Sequence, residues 1–500
     1  MADKGLKADS VGLFGGVLLG ISSVAPAYVL TATLGLLAMA VGEKTPVVII
    51  AGFLPMFFAA YAYREFNRVM PDSGTSFTWT TKAFGPYIGW IGGWTAVVAT
   101  IIVLSNLAGV AVQFLYQFIG SATGSATIND LWQNKAINVV TCLVFLAIAT
   151  YIAYRGIDTT ERVQGVLVIF QMIMLVALSA FAFARHETTG VGADFSWSWF
   201  DPTGISLSAF VVGLSGSIFG FWGWDTSLTV NEESKDSDHG PGLAALLCVV
   251  SILITYLMVA ISTQMFAGLG DTGLGLRNEQ VSDNVFGNLA EPILGSGLAL
   301  LLYLAVLASS AASLITTFLP TSRTLLAMGA YGAMPASLAR LHPKYKTPVQ
   351  ATVLAGVGAG IFYTVMTLLS ERVLTDTILS IGIMICLYYG LVAFGCVWFF
   401  RGMLFDSLSN VIFKFLFPLL GGIGLFFVLI VTLRDSADPA YGSGAAVFGV
   451  GLVLVLGVGL ILAGLVLMFY MRATQPAFFR NETLTHEPAH LMKPGEHLDY

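Results

Sequence analysis

Asp225 is the residue with the clearest chemical potential. It closes the stretch Phe219-Gly220-Phe221-Trp222-Gly223-Trp224, at the end of a run that carries no charge from 202 to 224. An ionisable side chain inside such an apolar run is a functional hypothesis by default. It could take up a proton, pair with a base near a gate, or attract a cationic solute. The alternative is a structural hydrogen bond beside a helix break. Phe219, Phe221 and Trp222 could wall a pocket, and aromatic faces attract ammonium groups. One helix face cannot present all three, so one of them is expected to pack elsewhere. Gly220 and Gly223 make a weak helix centre.

A second stretch has the same character. Gly20-Ile21-Ser22-Ser23-Val24-Ala25-Pro26 lies in the middle of the charge-free run 10–42. A continuous helix of that length would be about 50 Å long and would overshoot a bilayer core of about 30 Å. A break is expected there, with Pro26 opening the restarted helix, where its missing N–H costs nothing. Ser22, Ser23 and Ala25 would then offer hydroxyls and freed backbone groups. A half-helix N-terminus can hold a carboxylate, and unwound carbonyls can hold a cation or ammonium. Together they suit a zwitterion. Against this stand serines bonded back to their own helix and glycines used for close packing. Further along, Ser309 and Ser313 share one helix face with Ser310 beside them; interhelical polar packing is the favoured reading for this trio. Asn106 and Tyr388 are weaker pocket candidates.

The elements that must position these residues follow from composition. Hydrophobic residues make up 56% of the 500 and charged residues 10%, against about 45–50% and about 25% in soluble chains. Charge-free runs cover 10–42, 45–63, 83–129, 136–154, 163–184, 202–224, 239–270, 292–322, 347–370, 377–400, 415–433 and 439–471. Each is long enough for a membrane-spanning helix. The fold class expected is an all-α polytopic membrane protein with twelve transmembrane helices. A soluble enzyme, a nucleic-acid binder, a disulfide scaffold and an outer-membrane barrel are excluded by the same pattern. The opening residues read as a retained first helix rather than a cleaved leader.

Cys142, Cys248, Cys386 and Cys396 all fall inside apolar runs and read as packing residues. His186, His239, His342, His486, His490 and His497 lie in loops, at a helix end or in the tail. No cofactor or metal site is expected. Neither a Gly-x-Ser-x-Gly elbow nor a buried histidine suggests an intramembrane enzyme.

With the N-terminus in the cytoplasm, alternation through the runs puts 17 of the 23 Lys and Arg residues on the cytoplasmic side and 6 outside. The positive-inside rule selects this orientation, with both ends cytoplasmic and the chain multi-pass in the plasma membrane. The two interrupted runs are the first and the sixth. Interrupted spans at corresponding places in two halves point to a transporter site. The halves are 11–184 and 206–400, five spans each. They are followed by two further spans within 401–471 and flanked by cytoplasmic segments 1–10 and 472–500, the latter expected to be disordered.

Three stretches resemble the amino acid–polyamine–organocation (APC) transporter superfamily, over about the first 400 residues. One is Tyr63-Arg64-Glu65-Phe66-Asn67-Arg68-Val69-Met70-Pro71-Asp72-Ser73-Gly74, leading into Ala83-Phe84-Gly85-Pro86-Tyr87. Another is Phe219 to Asp225 followed by Asn231-Glu232-Glu233. The third is Ser322-Arg323-Thr324-Leu325-Leu326-Ala327-Met328, then Met334-Pro335 and Pro343-Lys344-Tyr345-Lys346-Thr347-Pro348. The resemblance implies a leucine-transporter-like (LeuT-like) 5+5 inverted repeat, with the site between broken helices 1 and 6. It also implies alternating access driven by a proton, a sodium ion or exchange. It makes Phe219 an aromatic lid over the substrate. In sodium-coupled relatives, hydroxyls such as Ser309, Ser310 and Ser313 join helix 1 carbonyls around the ion. Two departures matter. Val24-Ala25-Pro26 stands where many members have Gly-Ser-Gly, which weakens the expected backbone grip on a carboxylate. Gln171 is aligned with a lysine that some proton-coupled members carry in helix 5, and a glutamine cannot titrate. Glu65, Arg68, Glu232, Glu233 and Arg323 are gate ion-pair candidates.

The function expected is secondary transport of an amino acid, with polyamine or organic-amine import as the alternative. A channel or sensor on the same scaffold ranks behind both. Partners are a small-molecule substrate and the lipid bilayer, without nucleic acid. The choice between proton and sodium, the direction of transport and the oligomeric state stay open.

Overall fold

A computed structural model describes residues 4–6, 9–156, 160–188, 190–369 and 372–485, with the backbone alone at 160–163 and 188. Lys7, Lys493, His486, His490 and His497 lie outside these residues. Among them, ten segments are long and apolar enough to cross a membrane. The first, Leu13–Val69, contains three helices: α1 (Leu13–Val24), α2 (Pro26–Val41) and α3 (Thr45–Val69). Then come α4 (Ser76–Phe84), α5 (Pro86–Thr123), α6 (Lys135–Arg155) and α7 (Thr160–Arg185). A shorter apolar helix, α8 (Leu207–Phe221), is separated by a turn from α9 (Thr226–Thr229). The remaining helices of ten or more residues are α10 (Gly240–Ala267), α11 (Val285–Leu294), α12 (Ser296–Thr316), α13 (Phe318–Ala330), α14 (Val349–Leu369), α15 (Val373–Phe399), α16 (Phe417–Asp435) and α17 (Leu452–Thr474). A two-residue hairpin, Ala446–Val447 with Val450–Gly451, is the only sheet among the described residues.

Burial sorts these helices into a centre and a rim. The most apolar windows of α5 and α15 are 83% buried and those of α6 and α17 only 22% and 28%. Apolar side chains on the rim have no protein to cover them, and a bilayer supplies that cover. Both expected breaks are present. α1 ends at Val24, and Ala25 takes the left-handed conformation (φ 55, ψ 68) before Pro26 starts α2. Proline disfavours a helical residue before it. A left-handed alanine costs roughly 1–2 kcal/mol, so packing on both sides must hold it. α8 ends at Phe221, and Gly223 at φ +112 turns the chain before α9.

Of the tail expected to be disordered, 472–500, residues 472–485 are described and pack on the bundle, and the remainder lies outside the described residues. Residues 472–485 finish α17 and form a short helix, α18 (Pro476–Phe479). Phe478 and Phe479 are buried, with rings 5.4 Å from Phe77 and 5.5 Å from Tyr87. Two aromatic side chains bury enough apolar surface to dock a short segment.

Candidate functional site

The two breaks touch. A Cβ built on Gly223 would lie 3.0 Å from the Ser23 carbonyl carbon and from the Val24 amide nitrogen, so only glycine permits this approach at that backbone angle. Thr226 Oγ1 donates to Ser23 Oγ at 2.7 Å, and Ser313 Oγ of α12 donates to the Ser23 carbonyl at 2.7 Å. A small cavity, about 30 Å³, lies beside this junction. Its walls include Ser23, Tyr28, Thr100, Phe219, Trp222, Gly223, Asp225, Thr226, Ser313 and Tyr388. No lysine, arginine or histidine lines it. That space holds a water or two, so a larger solute enters only if these walls move.

The expected site residues divide. Ser23, Phe219, Trp222, Gly223, Asp225 and Ser313 line the cavity. Phe221 is the aromatic that packs elsewhere, against Phe53 and Tyr256. Gly220 is turned the same way, with its carbonyl accepting from the Tyr256 hydroxyl at 2.6 Å. Ser22 is buried away from the cavity and donates to Gln164 Oε1 at 2.7 Å. Ala25 is the break residue itself, fully buried. The freed N–H groups at the start of α2 already have partners: Ala27 N–H donates to Gln171 Oε1 at 3.5 Å, and Tyr28 N–H donates to Ser309 Oγ at 3.4 Å. Both are long, so both can yield. Ser310 Oγ is buried without a partner.

Asp225 is 6% exposed and forms no ion pair with any described residue. The Tyr389 hydroxyl faces its carboxyl group without reaching hydrogen-bond geometry. The hydroxyl of Tyr28, another wall residue, faces Asn106, again without a bond. Asn106 Oδ1 accepts from Thr377 at 3.0 Å, leaving its amide nitrogen unpartnered. Trp222 Nε1 donates to the Tyr388 hydroxyl. Buried polar atoms are rarely left unpaired, so the Tyr28 hydroxyl in the cavity wall and the Tyr389 hydroxyl beside Asp225 are groups that an arriving ligand would complete.

The two ends of the bundle differ. At the end opposite Lys4, a vestibule of about 990 Å³ opens, lined by Asn106, Gln113, Asn138, Tyr363, Arg372, Arg434 and Asp435, among others. At the Lys4 end the chain is sealed by ion pairs. Arg323 grips Glu233 through Nε and Nη2 at 2.9–3.1 Å. Lys4 Nζ, fully buried, donates to Asp72 Oδ2 at 2.7 Å and also to Glu232. Asp72 further accepts from Gly74 N–H (2.8 Å), Thr78 (2.7 Å) and Tyr331 (2.7 Å). Burial lowers the Lys4 ammonium's affinity for its proton, but the Asp72 and Glu232 carboxylates more than reverse this, and the net shift is upward. Burial raises the Asp72 carboxyl, but Lys4 and the three hydroxyl and ammonium hydrogen bonds carry it below its ordinary value. Ser10 and Val11 N–H donate to the Glu233 carbonyl at 2.8 and 3.0 Å, which straps the N-terminal segment across this end. Glu65 and Arg68, in the last turns of α3, pair at 3.3 Å.

Lys4, Asp72, Gln164, Tyr28 and Tyr389 are participants that the sequence did not single out. Lys4 and Asp72 lie 68 residues apart, and only the fold joins them. Gln164 did carry a signal, as an uncharged polar residue near the start of an apolar run. No group of three His, Cys, Asp or Glu side chains among the described residues could hold a metal ion.

The family model for amino acid permeases matches residues 11–470. The branched-chain amino acid permease of Bacillus subtilis (strain 168) is 27% identical over 376 residues, covering 71% of this chain and 74% of that protein. The glutamate/serine transporter of the same organism is 24% identical over 309 residues, covering 60% of this chain and 56% of its own length. The low-affinity putrescine importer of Escherichia coli (strain K12) is 21% identical over 345 residues, covering 68% of this chain and 71% of its own. The chain is a membrane transport protein and belongs to the amino acid permease family.

Proposed function

We propose that the chain is a secondary active transporter that moves an amino acid across the plasma membrane by alternating access, driven by a proton or by exchange. Both termini are placed in the cytoplasm. Counting α1 with α2 as the first pass and α8 with its continuation as the sixth, the helices make twelve passes. The first ten form a LeuT-like pair of inverted five-helix repeats, 11–184 and 206–400. The observation that carries the reading is the junction of the two breaks beside an unpaired, buried Asp225. A lone carboxylate with no basic neighbour in the wall favours a solute with an ammonium group and disfavours an acidic one. The apolar part of the wall, with Val24, Val29, Val103 and Leu107, favours a neutral side chain. The open vestibule and the ion-paired opposite end correspond to a state closed toward the cytoplasm.

The runner-up is an organic amine, which Asp225 and the aromatic wall would also suit, and one relative is named as a putrescine importer. Thermal unfolding of the detergent-purified protein against amino acids and their decarboxylated amines separates the two. A ligand that binds the folded state alone raises the melting temperature. Stabilisation by an α-amino acid but not by its amine is expected, followed by uptake into proteoliposomes under a pH gradient. Stabilisation by putrescine or spermidine alone would make Asp225 a substrate anchor and overturn the amino-acid assignment.

A further inference from the structure

Gln164 lies on α7, fully within the bundle at 2% exposure. Its side-chain oxygen accepts from Ser22 Oγ of α1 at 2.7 Å, and its nitrogen donates to the Ala312 carbonyl of α12 at 3.1 Å. At the very next residue of α12, Ser313 Oγ holds the Ser23 carbonyl. Three helices therefore meet at one neutral amide, immediately behind the α1 break. The pairing has a chemical requirement. One atom must accept while its neighbour donates, and a carboxamide does both at every pH. A protonated carboxylic acid can also do both. A carboxylate can only accept, and it would face the Ala312 carbonyl oxygen with no hydrogen between them.

We propose that Gln164 is a positioning residue that staples the first half of the broken helix to α12, fixing the wall of the transport site in a manner independent of pH. The amide also fills the room between Ser22 and the Ala312 carbonyl that a bound cation would need, so this joint couples transport neither to a proton nor to a metal cation. The proposal rests on the transporter reading for its consequence, while the staple itself is read from geometry.

The test is Gln164→Glu, compared with the parent across about pH 5 to 9. The neutral acid retains both hydrogen bonds; the ionised form loses one and sets a charge against a carbonyl. The inserted carboxyl thus has a raised pKa in the folded state, and its contribution is present at low pH and lost as pH rises. Of the residues on elements packed against α7, α1 offers none that titrates. The others are Tyr28 (α2), Cys248 and Tyr256 (α10), Glu291 (α11) and Tyr303 (α12), none with an ordinary pKa between about 5 and 8. Charged or titratable residues on and beside α7 are Glu161, Arg162 and Arg185 within it and His186 and Glu187 in the turn after it. These, and Asp225 across the α1 break, are common to parent and variant, so the ratio of the two profiles removes them.

The expected result is an uptake rate, relative to the parent, that falls about tenfold or more from the acid to the alkaline end, as loss of a hydrogen bond to a charged partner implies. Maximal rate should fall while the half-saturating concentration holds, because Gln164 does not line the cavity. Gln164→Leu should be slow at every pH. Thermal unfolding of Gln164→Glu along the same pH series reads the staple with no substrate present. If the parent transports nothing tested, the transporter reading suffers while this melting series still decides the staple. A variant that fails to fold at neutral pH but folds at acid pH supports the staple. Parallel profiles of Gln164→Glu and parent, in both uptake and melting, would overturn it.

Discussion

The two buried polar regions of this molecule are built on opposite rules. At the strapped end, Lys4, Asp72, Glu232, Glu233 and Arg323 each have an opposite charge within hydrogen-bond distance. At the junction of the breaks, Asp225 has none, and the Tyr28 and Tyr389 hydroxyls near it have no partner, whereas at the strapped end the one orphan beside the charges is the Ser73 hydroxyl, among the described residues. Both regions are screened from water, so an unmade bond is costly in either. A satisfied network fixes one shape. An unsatisfied one is tolerated where an arriving group completes it.

The largest effects should come from crossing the two rules. Arg323→Gln leaves Glu233 buried without its counter-charge and should cost about 3–5 kcal/mol of stability, read by chemical or thermal unfolding in detergent. Asp225→Asn removes a buried charge that has no partner. Its stability should be unchanged or slightly higher, while uptake falls at least about 100-fold, roughly 2.8 kcal/mol at 1.4 kcal/mol per decade. Equal destabilisation by the two variants would mean that Asp225 is satisfied within the protein, and the contrast would collapse.

A smaller effect tests the strap through pH. Lys4→Met should lower stability by about 1.5–3 kcal/mol, the range for hydrogen bonds to charged groups. The Asp72 carboxyl is depressed from 3.8, so its contribution is present above that value and lost as pH falls through the lower folded value. The Lys4 ammonium is raised from 10.5, so its contribution is present below that value and lost as pH rises through the higher folded one. The stability difference between parent and variant should therefore be flat across the neutral range and shrink only at the two extremes. A difference that changes near neutral pH would assign the strap to some other titrating group.

The sequence carried the polytopic helical class and the two breaks, because charge-free length and the Gly/Ser/Pro and Gly/Trp interruptions are local signals. Pro26 and Gly223 specify their backbone conformations almost alone. The same stretch left the direction of each side chain open: Phe219 and Trp222 reached the cavity while Phe221 and Gly220 turned to Tyr256. That choice depends on the exact residue at which α8 ends, which no periodicity fixes. The strap was illegible for a different reason. Lys4 reads as an ordinary solvated lysine until the fold brings Asp72 and Glu232 around it. Tail residues 472–485 were misjudged because polar neighbours diluted the two phenylalanines that dock them.

The smallest effect is the most direct comparison, since one chemical change can be made in both regions. Tyr331→Phe deletes a hydroxyl that donates to the Asp72 carboxylate at 2.7 Å. It should cost about 1.5–3 kcal/mol, because a charged acceptor is left short of a donor. Tyr28→Phe deletes a hydroxyl with no partner in the protein. No bond is lost and a buried unsatisfied group is removed, so stability should move by less than about 0.5 kcal/mol, and upward if at all. The change should surface in solute binding instead. If the solute completes the Tyr28 hydroxyl, affinity falls about tenfold while the melting temperature of the empty protein stays put. Equal losses of stability in the two variants would show that the Tyr28 hydroxyl is paired in the empty protein. The centre would then be as self-contained as the strapped end, and its polar groups would have to exchange partners, rather than gain them, each time a solute enters.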